Sequence, residues 1–83
     1  MEPGAELTRD VVRLVAEVAE LDPGEVSLEA SFEELGIDSL DGLRIVAAVE
    51  KKYGVVIDEA EINRIRTMQD VLALARRHAP GGE

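Results

Sequence analysis

Leu7, Val11, Leu14, Val15 and Val18 recur at the spacing of a single helical face, while Glu6, Arg9, Arg13, Glu17 and Glu20 fall mostly elsewhere. No other feature limits the possible folds as much, because a chain that repeats this pattern must bury helices against helices. The spacing predicts a first helix from about Glu6 to Glu20, stopped by Asp22-Pro23-Gly24 after a frayed tip at Met1–Gly4. A second long helix is expected from Ser39 to Tyr53, with Asp38 as its cap and Gly54 just past its end. Asp58 and Glu61 form a capping pair for a short third helix over roughly Glu59–Ile65. Thr67 and Asp70 open a last helix with Met68, Val71, Leu72, Leu74 and Ala75 as its apolar positions. Its last turn carries Arg76, Arg77 and His78, where cations favour the negative end of the helix dipole, and His78 reads as a solvated terminal residue. Pro80-Gly81-Gly82 is a helix-ending tail, and Val55-Val56-Ile57 is too short to count as a strand.

A long connection joins the first two helices, from Leu21 to Asp38. Loops of that length in small domains are usually pinned or functional. This one has anchors in Val26, Leu28, Phe32, Leu35 and Ile37, and Ser31 with Glu34 has capping-box spacing for one helical turn before Gly36. The fold class is therefore all-α, a four-helix bundle with three longer helices, one short third helix and a long first loop. At 83 residues the chain has room for one domain, its core at about 6–78.

Composition narrows the function. With one Phe, one Tyr and no Trp, the core must be built from Val, Leu, Ile and Ala, which suits close-packed helices. The absence of cysteine excludes a disulfide framework and a thiolate metal site, and no metal centre or catalytic residue is expected. There is no apolar run of membrane-spanning length and no signal-like N-terminus, so a soluble cytoplasmic protein is expected. The formal net charge of −9 argues against nucleic acid and anionic membrane as partners and favours proteins with basic docking patches. So short a chain has no room for a deep enzyme cleft, and reads as a binder or carrier, monomeric.

The helix from Ser39 to Tyr53 has more apolar surface than packing requires. At roughly 100° per residue, Ile45, Val46, Val49 and Tyr53 form a core stripe, while Leu40, Leu43 and Ala47 gather on a second one. A second stripe rimmed by Arg44, Glu50 and Lys51 suggests a docking surface; alternatively the short third helix or the long loop covers part of it. Gly42, inside the helix, costs about 1 kcal/mol relative to Ala, which is explained either by close approach of a neighbour or by lack of selection against it. Ser39 stands first in the helix, after the cap, where free backbone N–H groups and the dipole favour a phosphate ester on its oxygen; a serine there is also commonly a cap and nothing more.

The string Phe32-Glu33-Glu34-Leu35-Gly36-Ile37-Asp38-Ser39-Leu40-Asp41 resembles the attachment motif of the acyl carrier protein family, a Leu-Gly pair and an apolar residue followed by Asp-Ser-Leu at a helix start. The order of a preceding amphipathic helix, an anchored loop, a Tyr-Gly helix end, a short third helix and a Thr-capped fourth matches the family from about Leu7 to His78. The resemblance implies a discrete, type II carrier bearing 4′-phosphopantetheine from coenzyme A on Ser39, placed there by a phosphopantetheinyl transferase that holds the magnesium. The arm carries acyl groups as thioesters to acyl-transferring or ketosynthase-type enzymes. The family's second helix is its main recognition element, which points to Asp38, Leu40, Asp41, Leu43, Arg44, Ala47 and Lys51 as the partner face, and the family's bundle can loosen to admit an acyl chain.

Fatty-acid carriers typically keep this helix strongly acidic. Here Gly42-Leu43-Arg44 and Lys51-Lys52 interrupt the acidic face, favouring polyketide or related specialised biosynthesis over primary fatty-acid synthesis. Peptidyl carriers usually show Gly-Gly-x-Ser where this chain has Gly36-Ile37-Asp38-Ser39. Outside the family, the alternative is an unmodified helical interaction module using the Leu40, Leu43, Ala47 stripe.

Overall fold

The computed structural model describes residues 3–78. Its elements are α1 (Pro3–Ala19), a 3-10 turn (Pro23–Glu25), α2 (Phe32–Leu35), α3 (Ser39–Tyr53), α4 (Glu59–Ile62) and α5 (Met68–His78). The three long helices, the short helix before the last and the single turn in the long loop form in the expected places, but the expected Asp58–Glu61 capping pair does not form. Asp58 stands at the α4 cap position with no side-chain cap hydrogen bond, and Glu61 turns to Arg77 and His78 instead. Helical order begins at Pro3 rather than Glu6, because the periodic signal starts only where the apolar face does, at Leu7. Met1, Glu2 and the Pro80-Gly81-Gly82 tail lie outside the described residues.

Two helix ends differ from expectation. α1 stops at Ala19 because Glu20 takes a left-handed conformation (φ 59°), letting Leu21 N–H reach the Ala16 carbonyl at 2.8 Å. This closing turn usually employs glycine, and Asp22-Pro23-Gly24 forms the separate 3-10 turn that follows. α4 ends at Ile62, not Ile65: Asn63 and Arg64 form a turn, and Ile65 is left outside the helix. The extra residues serve the connection to α5, which has to bring Thr67 alongside Ser31.

The long loop is pinned as its anchors require. Val26, Phe32 and Ile37 are buried in one cluster with Val11, Val15, Ile45, Met68, Val71 and Leu72. Phe32 N–H donates to the Arg66 carbonyl (2.9 Å) and Met68 N–H to the Ala30 carbonyl (3.0 Å), fastening the loop to the start of α5. Ser31 Oγ accepts from Glu34 N–H while Ser31 N–H donates to Glu34 Oε1, so the capping box closes α2, and Gly36 ends it with φ 75°. Val46, Val49, Ile57 and Leu74 make a second cluster toward α4. Among the described residues no polar side chain is buried, and no strand forms; Val55–Ile57 belongs to no regular element, with Ile57 buried and Val56 exposed.

Candidate functional site

Everything around Ser39 follows from the start of α3. Asp38 lies in extended backbone (φ −89°, ψ −175°), its Oδ1 accepts from Asp41 N–H at 2.9 Å, and its carbonyl accepts from Gly42 N–H at 2.9 Å. The capping role therefore belongs to Asp38 and not to Ser39. Ser39 is exposed, and its hydroxyl has no hydrogen-bond partner among the described residues. It sits in the first turn of a 15-residue helix, where unpaired N–H groups and the dipole favour an anionic substituent. A phosphate ester fits there: the oxygen is accessible and unengaged, and no packing is disturbed by extending it.

Beside Ser39 the two stripes of α3 separate as their spacing requires. Ile45, Val46 and Val49 are at most 3% exposed, whereas Leu40 and Leu43 are 57% and 52% exposed and Ala47 is also exposed. Half-buried Asp41 lies 3.8 Å from exposed Arg44, a solvent-screened pair of little energetic weight. The rim expected around the stripe is only partly present. Glu50 turns away, its Oε2 accepting from Ile57 N–H at 2.7 Å, and Lys51 lines a shallow cleft against α1 with Asp10, Arg13 and Glu17. Lys52 crosses to Asp10 at 3.9 Å and lies over the Tyr53 ring.

Gly42 faces Phe32. A methyl added there would sit 3.6 Å from the ring edge, ordinary contact, so this neighbour does not demand glycine.

A groove of about 740 Å³ with no signature in the sequence pattern opens beside Ser39, between α2, α3 and the stretch from Ile62 to Thr67. Phe32, Ile37, Leu43, Val46 and Ile65 supply its apolar lining. Nothing local announces it, since its walls come from segments distant in sequence. Leu43 therefore serves both the exposed stripe and the groove's edge.

His78 is the residue placed most differently. It is half-buried, not solvated, with Nε2 3.0 Å from Glu61 Oε1, and Arg77 reaches the other oxygen of the same carboxylate. The His78 hydrogen bond is the main influence holding the Glu61 carboxyl below its usual range; partial desolvation opposes it and Arg77 assists.

The phosphopantetheine attachment site family matches residues 9–75. The chain belongs to the acyl carrier protein family. An acyl carrier protein of Thermosynechococcus vestitus is 41% identical over 69 residues, covering 82% of this chain and 85% of that protein. Polyketide-8 synthase acyl carrier protein 2 of Streptomyces avermitilis is 45% identical over 62 residues, covering 74% and 71%. The crystal structure of an acyl carrier protein from Thermotoga maritima superposes with a TM-score of 0.79 at 27% identity, covering 94% and 92%. The helical bundle is thus the acyl carrier fold. The protein is a carrier rather than an enzyme, and it carries covalently attached 4′-phosphopantetheine. Its function involves a phosphopantetheinyl transferase and enzymes that handle acyl groups. No helix among the described residues is long and apolar enough to cross a membrane.

Proposed function

We propose that Ser39 is the attachment residue and that this single carrier domain serves polyketide or a related specialised biosynthesis in the cytoplasm. The observation that carries the assignment is the division of labour at the start of α3, where Asp38 caps the helix and leaves the Ser39 hydroxyl exposed and unengaged. In the transfer reaction, Ser39 Oγ forms a bond to the phosphorus of coenzyme A's pantetheine phosphate as the bond to adenosine 3′,5′-bisphosphate breaks. The hydroxyl proton passes to a base on the transferase. The bound arm supplies a terminal thiol for thioester formation, and the chain has no cysteine thiol to compete for the acyl group.

Asp38, Leu40, Asp41, Leu43, Arg44 and Ala47 form the partner face around that point, with Lys51 at its far border. Leu40 and Leu43 supply apolar contact, and Arg44 places a cation where an acidic face is usual for fatty-acid carriers. That interruption and the likeness to the Streptomyces avermitilis protein support the specialised pathway. The second reading is primary fatty-acid synthesis, with which the likeness to the acyl carrier protein of Thermosynechococcus vestitus is equally consistent.

Incubation with coenzyme A, magnesium and a promiscuous phosphopantetheinyl transferase, followed by intact-mass measurement, tests the assignment. The wild type is expected to gain the mass of one phosphopantetheine. Ser39→Ala is expected to gain none while keeping its helical spectrum and its stability to within about 0.5 kcal/mol. Modification of the variant at Ser27 or Ser31 overturns the assignment.

A further inference from the structure

Attachment at Ser39 adds a negative phosphodiester to a place that is already anionic. Glu33 and Asp38 line the groove beside it, and Asp41 follows in the first turn of α3. The positive end of the helix is partly answered there, because the Asp38 carboxylate accepts from Asp41 N–H at 2.9 Å. Arg44, the nearest cation along α3, is exposed, lies 3.8 Å from Asp41 and does not line the groove. Arg66 does. Among the described residues lining that groove it is the one cation, exposed and with no hydrogen bond or ion pair from its guanidinium.

The fold fixes where Arg66 stands. Its N–H donates to Asp70 Oδ2 at 2.8 Å and its carbonyl accepts from Phe32 N–H at 2.9 Å, so both sides of its backbone are tied. The Phe32 ring in turn lies 3.6 Å from where a Cβ on Gly42 would stand, and Gly42 is about one helical turn past Ser39. Through Phe32, the root of the Arg66 side chain is held to the turn of α3 that carries the attachment hydroxyl. A guanidinium presents its N–H donors in a rigid fork that suits phosphate oxygens, and it stays charged. Glu33 shares the groove, yet no ion pair joins it to Arg66, which leaves the guanidinium available.

We propose that Arg66 is the counter-charge to the phosphodiester formed on Ser39, a positioning residue that holds the root of the phosphopantetheine arm on the groove side of α3. The proposal rests on Ser39 as the attachment residue and adds a residue of this chain that recognises the group once attached.

The test uses the full chain as wild type, Arg66→Gln and Arg66→Lys, each with and without the arm, which the promiscuous transferase attaches. Intact mass comes first: a wild type that gains no phosphopantetheine overturns the attachment reading and this inference with it. With loading complete, the melting difference between loaded and unloaded protein is compared across the three, which cancels any purely structural effect of the substitution. Loading is expected to favour the wild-type melting temperature over that of Arg66→Gln by about 1–8 °C, the shift that an exposed charge pair produces in so small a domain. Arg66→Lys should keep most of that gap, and roughly 1 M sodium chloride should shrink it. An equal loading effect in wild type and Arg66→Gln, or a gap unmoved by salt, overturns the role of Arg66 and leaves the attachment intact. Should Arg66→Gln not fold or not load, NMR of the wild type decides. The Arg66 Nε–H signal should move on loading while that of Arg64, which does not line the groove, holds its place. An unmoved Arg66 signal, or equal movement of both, refutes the proposal.

Discussion

Val46 and Leu43 stand one helical turn apart on α3 and meet different surroundings, at 3% and 52% exposure. Val46 packs with Val49, Ile57 and Leu74, so Val46→Ala removes buried methyls and leaves a small cavity, costing on the order of 1–3 kcal/mol. For a domain whose stability is on the order of 5 kcal/mol, the melting temperature should fall clearly. Leu43→Ala removes atoms already half in water and is expected to change stability by within about 0.5 kcal/mol. Its loss should appear as slower modification by the transferase and slower acyl transfer. Thermal melts alongside transfer kinetics separate the two effects. Equal destabilisation by both substitutions would make the exposed stripe part of the core.

At the scale of elements, α4 is the least supported helix. It has one turn, no buried residue and no side-chain hydrogen bond from Asp58 at its cap, so its attachments are the half-buried Ile62 and the Glu61 contacts to Arg77 and His78. The Glu61 carboxyl is held below its ordinary range, led by the His78 hydrogen bond. A carboxylate depressed in the folded state contributes stability that is complete above the unfolded value, about 4.3 for Glu, and lost as pH falls through the folded value. Acidification also relieves repulsion in a chain of net charge −9, so the wild-type melting curve alone mixes both effects. The difference between wild type and Glu61→Gln isolates the contact. It should be largest near neutrality and shrink as the pH falls below the usual carboxylate range, and melting temperatures across that range measure it. A difference independent of pH would show that the ion pairs do not hold α4.

Over the whole molecule, charge is distributed in a way that bears on partner choice. Arg44 stands on the exposed stripe of α3, and Lys51 faces the α1 cleft at the other end of the same helix. Charge complementarity governs association rates and the rejection of wrong partners more than raw affinity. Arg44→Glu with Lys51→Glu is expected to improve service to fatty-acid synthase enzymes and to impair transfer with the cognate enzymes, measured as acyl-transfer rates at low and physiological salt. Unchanged rates with both enzyme sets would make these residues bystanders.

The helices, the cap at Asp38, the single turn opened by Ser31 and the division of α3 into buried and exposed stripes were all legible in the sequence. Each depends on interactions a few residues apart, which spacing encodes directly. The attachment motif was legible for the same reason, being one unbroken string from Phe32 to Asp41. Three features depended on where distant segments meet. Glu50 is drawn from the docking rim because Ile57 N–H, which has no backbone partner in the loop after α3, donates to its carboxylate. His78 ceased to be a terminal bystander because α5 brings it against Glu61 on α4. The groove has the Ile62–Thr67 stretch on one side and α3 on the other, and the Phe32 N–H bond to the Arg66 carbonyl fastens that stretch to the long loop. Local periodicity says which face of a helix is buried; only the packed chain decides which neighbour lies against it.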